Sequence, residues 1–150
     1  MTYQHTQKSP LWLFVAAPLL AIVAISATAS DADTTVVILS SLAAILVIAL
    51  IAHFSTLTVT VASGTARAAF GRGWPRRTVQ LSGVTGVRAV RNHWLYGFGI
   101  RWVPKGSLWN VWGLDGVEFA LDNGRVVRFG TDDGGGLLAA LSGRIGQTPN

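Results

Sequence analysis

The sequence predicts a membrane-anchored α+β protein: a two-helix transmembrane hairpin followed by a small antiparallel β domain that ends in one helix. Three observations carry this. No Asp, Glu, Lys or Arg occurs in Ser9–Ser30, and none occurs in Thr34–Ala66. After Phe54 the apolar period changes from helical to alternating. Near the C-terminus the last alternating segments give way to a stripe of leucines at helical spacing.

The first observation places the anchors. Only 13% of the 150 residues are charged, against roughly 25% in soluble domains, and the deficit is confined to the two apolar stretches. Leu11–Ala29 and Val36–Phe54 are 19 residues each, close to the ~20 that span a bilayer core. Ser9-Pro10 is a natural helix entry, since proline at a first helical position gives up no needed hydrogen bond. Pro18 marks a kink that membranes tolerate. The link Ser30–Thr35 is short and polar, with Asp33 or Thr34 as the cap of the second helix. Ala17/Ala21 and Ser40/Ala44 are small residues spaced for close helix contact.

Charge sets the expected orientation. Residues 55–150 hold eleven Lys and Arg against five Asp and Glu, and no acid occurs between Asp33 and Asp115. With acids in the link and arginines after the second helix, the positive-inside rule puts both termini in the cytoplasm. The organisation expected is a cytoplasmic tail over 1–10, the hairpin over 11–54, a β domain over 55–145 and a tail over 146–150. A rival is a signal peptide cleaved near Ala27-Thr28-Ala29, although its apolar run exceeds the usual length. Either way the β domain is cytoplasmic.

Within that domain, Leu57, Val59 and Val61 alternate with threonines, and Ser63-Gly64 turns the chain into Thr65–Phe70. Short strands are predicted over Thr78–Leu81, Val84–Arg91, Gly99–Val103 and Leu108–Trp112. A hairpin joins Val117–Leu121 to Arg125–Phe129 through Asp122-Asn123-Gly124. Thr131-Asp132-Asp133 reads as a helix N-terminus, followed by the stripe Leu137, Leu138, Leu141 and Ile145.

Tyr96-Gly97-Phe98-Gly99-Ile100-Arg101, then Trp109-Asn110-Val111-Trp112-Gly113, then Asn123-Gly124-Arg125 and Phe129-Gly130-Thr131-Asp132-Asp133 come in that order. This combination resembles the bacterial pleckstrin-homology-like (PH-like) domains tethered by two N-terminal helices. The resemblance covers about residues 55–145 and implies a PH-like β-barrel with a C-terminal helix. That family is largely without assigned activity, so the resemblance speaks to fold. Gly134-Gly135-Gly136 departs from its pattern, where a proline and better helix formers are expected.

Chemistry-bearing constellations are sparse. There is no cysteine, which excludes thiolate metal sites, disulfides and cysteine nucleophiles. His5, His53 and His93 stand at no metal-ligand spacing. Asp115 and Glu118 read as solvated carboxylates, and Gly97-Phe98-Gly99 lacks the third glycine of a dinucleotide loop. The expectation is a non-catalytic module with no cofactor and no metal. Its candidate contact residues are Arg67, Arg72, Trp74, Arg76, Arg77 and Trp94. Basic side chains beside amphipathic aromatics suit membrane lipids with anionic headgroups. Alternatives are an accessory subunit that docks an acidic protein partner, and an enzyme completed in an oligomer. Nucleic acid is not expected as a partner of a tethered domain.

Overall fold

A computed structural model describes residues 2–28 and 33–145. Before any apolar segment comes a strand, β1 (Tyr3–Lys8). It is followed by helices α1 (Leu11–Thr28) and α2 (Thr34–His53), and then by β2 (Thr56–Ala62), β3 (Thr65–Phe70) and β4 (Arg76–Gln80). The second half holds β5 (Val84–Arg91), β6 (Gly99–Val103), β7 (Gly106–Asn110), β8 (Asp115–Leu121), β9 (Val126–Gly130) and α3 (Gly134–Leu141). The α+β class holds, with two helices first, sheets after them and a helix last.

The expected barrel does not close. Among the described residues, nine strands divide into a four-stranded sheet, β1-β2-β3-β4, and a five-stranded sheet, β5-β8-β9-β7-β6. The second sheet is mixed, because β7 and β9 pair in parallel. That follows from the tight β8–β9 hairpin, which inserts β9 beside β7. Since β9 runs antiparallel to β8, it has the direction of β7. Gly106 permits this pairing, because a Cβ there would lie 1.7 Å from the Val126 carbonyl oxygen.

The expected N-terminal tail is also corrected. Tyr3–Lys8 pairs antiparallel with β2 from Tyr3↔Val61 to Lys8↔Thr56, and Ser9 N–H donates to Ser55 O at 2.7 Å. The strand that precedes the helices is thus bonded to the strand that follows them, and the helical hairpin is clasped at its base.

Among the described helices, α2 alone is long and apolar enough to cross a membrane; the apolar run of α1, Trp12–Thr28, is shorter. At 1.5 Å per residue, α2 reaches about 30 Å and α1 a few ångströms less. Asp33 caps α2, accepting from Thr35 N–H at 2.7 Å. The two helices pack on each other, and Ala16 and Ala44 are buried, whereas Ala17 and Ala21 are exposed. Residues 29–32, which include half of the link, and the final residues 146–150 lie outside the described part.

One core joins the sheets. Leu57, Val59, Val61, Ala66, Ala68 and Phe70 from the first sheet meet Val117, Phe119, Val127 and Phe129 from the second, with Leu137 and Leu141 of α3 over them. Asp133 caps α3, accepting from Gly136 N–H at 3.0 Å. The helix ends at Leu141, so Ile145 packs on the core from the turn beyond it.

Candidate functional site

The junction of α2 with the β domain is built on two opposite helix faces. At about 100° per residue, Ala49, Ala52 and His53 share one side, while Leu50, Ile51 and Phe54 share the other. The first side forms a cleft with Gly71 and Arg72. The second opens on an apolar cleft with Phe98, Gly99 and Val111.

The turn between β3 and β4 is seated on the first side. Gly73 and Trp74 N–H both donate to Phe70 O, at 2.8 and 3.1 Å, and Phe70 N–H donates to Pro75 O at 3.0 Å. The His53 ring donates from Nε2 to the Trp74 carbonyl. Gly71 takes φ +49, and a Cβ there would lie 2.5 Å from the His53 ring. Only glycine lets this turn lie so close to the helix end. Below it, Phe54, Phe70 and Trp109 form a ladder with centroids 5.4 and 5.9 Å apart. The Trp74 ring is left 71% exposed beside the foot of α2.

The six candidate contact residues divide among four places. Arg72 and Trp74 lie on this turn. Arg67 and Arg76 project from the outer face of the first sheet, the face of Thr58, Thr60 and Thr78. Arg77 sits opposite Ala68, whose side chain is in the core, so it points to the other face and lines a cleft with Gly83, Leu121 and Asp122. Trp94 lies in the loop between β5 and β6, stacked on His93. Ion pairs among the described residues include Arg91–Asp115 and Glu118 with Arg88 and Arg128, and the His5 ring lies against Asp132. Arg67, Arg72, Arg76 and Arg77 take part in none of them.

The expected solvated Glu118 is corrected. It is 5% exposed and points away from the core, between Arg88 Nε at 2.8 Å and Arg128 Nε at 2.7 Å. Burial alone would raise its pKa, but the hydrogen bonds and charges of Arg128 and Arg88 outweigh burial and hold the carboxyl below its ordinary value. Arg128 also donates to Asn92 Oδ1 at 3.3 Å. The hairpin register held the clue: a turn centred on Asn123 puts Glu118 opposite Arg128. His93 and Asp115 are engaged elsewhere. His93 Nδ1 accepts from Leu95 N–H at 3.3 Å, and Asp115 meets Arg91 at 3.5 Å. Among the described residues no group of three His, Cys, Asp or Glu side chains is arranged to hold a metal.

A second cluster, missed in the sequence, ties β1 to α3. Tyr3 Oη donates to Asp133 Oδ2 at 2.9 Å, and His5 Nε2 lies 2.6 Å from Asp132 Oδ1. Burial, with the Asp133 carboxylate beside it, pushes the Tyr3 phenol well above its usual pKa. The Tyr3 and Gly136 hydrogen bonds pull Asp133 below its own.

No protein-family model matches the chain, and no curated protein sequence matches it significantly.

Proposed function

We propose that this protein is a non-catalytic module of the bacterial cell membrane, with a PH-like β domain tethered by a two-helix hairpin, whose Arg72, Trp74 and Arg76 contact anionic lipid headgroups. The observation that carries the reading is the seating of the turn 71–75 against His53, the last residue of α2. If α2 spans, this turn lies in the headgroup layer. Interfacial tryptophan favours that depth, and each nearby arginine contributes about 1 kcal/mol with an anionic leaflet. The β1–β2 pairing supports a hairpin whose two ends share one side. The charge surplus of residues 55–150 supports the cytoplasm as that side.

The β1–β2 pairing also decides how the reading is tested, since residues 55–150 alone would lack a strand of the first sheet. The full chain belongs in nanodiscs, one set neutral and one set anionic. Amide exchange over residues 71–77 is expected to slow in the anionic discs, and the difference to shrink with salt. The double variant R72Q/R76Q is expected to remove it. Equal exchange of the natural chain in both lipids would refute lipid contact. The rival, an acidic protein partner, is favoured by Arg77 and Trp94, which the fold sets apart from the turn, and would then lead.

A further inference from the structure

We infer that the outer face of the first sheet carries a phosphate pocket centred on Arg67, which takes the headgroup phosphate of a lipid in the adjacent leaflet. This rests on the membrane-facing reading above and adds a discrete site to a charged rim.

The pocket follows from residue size. Along the outer face of β2 and β3 the large side chains give way to Ala62, Ala69, Gly71 and Gly73, which leaves a depression of about 410 Å³. Thr58, Thr60 and Thr65 line it, the Thr58 hydroxyl paired with that of Thr6 and the Thr65 hydroxyl donating to Ala62 O, and no carboxylate lines it. Arg67 is half-buried in this wall. Among the described residues it donates one long hydrogen bond, from Nη2 to Gly73 O at 3.5 Å. A guanidinium has five N–H donors in a planar fork, so most of the fork remains to be satisfied. A hydroxyl-lined recess with one half-buried guanidinium suits a tetrahedral oxyanion, which Arg binds in bidentate fashion.

Position selects the source. The contact with Gly73 draws the guanidinium along β3 toward the turn that His53 holds at the foot of α2. Arg76, opposite Ala69, places a second cation on the same face of the sheet. The Gly71 and Gly73 end of the recess therefore lies beside the end of the apolar helix, where lipid phosphates are concentrated, and Ala62, Ser63 and Thr65 at the tip of the β2–β3 hairpin close its far end.

The test uses the full chain in neutral detergent, titrated with dihexanoyl phosphatidic acid, dihexanoylglycerol and inorganic phosphate, and followed through the threonine methyl resonances. The phosphatidic acid is expected to bind and to shift Thr58 and Thr60, while the glycerolipid without phosphate leaves them unmoved. R67Q is expected to weaken binding about tenfold or more. A69L fills the recess without changing any charge and is expected to do the same. Near-UV circular dichroism checks that both variants fold. Binding as in the natural chain by both variants would overturn the pocket. Inorganic phosphate binding as tightly as the phosphatidic acid would overturn the lipid assignment. Protection of residues 71–77 in anionic nanodiscs is expected to persist in A69L, since Arg72 and Arg76 remain, so failure of the pocket and failure of the leaflet reading give different results.

Discussion

Replacing Glu118 with alanine is expected to cost about 3 kcal/mol of stability. The substitution leaves the Arg128 side chain, 17% exposed, without its carboxylate. Breaking a buried pair by removing one partner typically costs 3–5 kcal/mol, because an uncompensated charge stays behind. Arg88 reaches the same carboxylate from solvent, with 71% of its side chain exposed. R88A should therefore cost at most about 1 kcal/mol. Chemical denaturation of the full chain, followed by near-UV circular dichroism, separates the two. Since the folded-state pKa of Glu118 is depressed, its contribution is present above the unfolded value near 4.3 and is lost as pH falls through the folded value. E118Q should lack that part of the acid sensitivity. Equal losses in E118A and R88A would mean that Arg128 does not depend on this carboxylate.

Deleting residues 2–8 should have a larger effect. It removes β1, leaves the edge of β2 unpaired, and takes away Tyr3 and His5, which hold the N-terminal end of α3. With each ladder hydrogen bond worth about 1 kcal/mol net, a loss on the order of 5 kcal/mol is expected, comparable to the whole margin of a small domain. The deletion leaves both apolar segments whole, so under the proposed membrane reading insertion should survive while the β domain loses its cooperative transition. A retained transition with natural amide protection in β2 would show that β1 is dispensable. Tyr3 adds a pH signature. Its raised pKa means that its contribution is complete below the unfolded value near 10 and declines as pH rises above it.

What the sequence reveals depends on how local the determinant is. The β2–β3 hairpin is legible because Leu57, Val59 and Val61 alternate with threonine, and Ser63 and Gly64 both take positive φ. The α3 cap is legible because Asp133 precedes its helix directly. β1 is not legible: Tyr-Gln-His-Thr-Gln-Lys has no apolar face, and its strand is imposed by the edge of β2, about fifty residues away in the chain. The parallel β7–β9 pairing is equally non-local. β7, predicted from Leu108, begins two residues earlier at Gly106, whose missing side chain serves the approach of Val126. Among the contact residues, strand parity decides. Arg76 and Arg77 are adjacent in sequence, and without the register to Ala69 and Ala68 nothing shows that they point to opposite faces. Glu118 was misread for a related reason, since a charged residue on the face away from the core reads as solvated unless its cross-strand partners are known.

The clasp between β1 and β2 makes a hairpin anchor the central claim, and the chain lends itself to a direct test because it has no cysteine. Single cysteines at Gln4, Asp31 and Asn123, probed with a membrane-impermeant maleimide in sealed, right-side-out and inverted vesicles, report the side of each position. Gln4 and Asn123 are expected to react from the cytoplasmic face, and Asp31 only from the opposite one. Reaction of Gln4 and Asn123 from opposite faces, or of all three from the same face, would contradict the account.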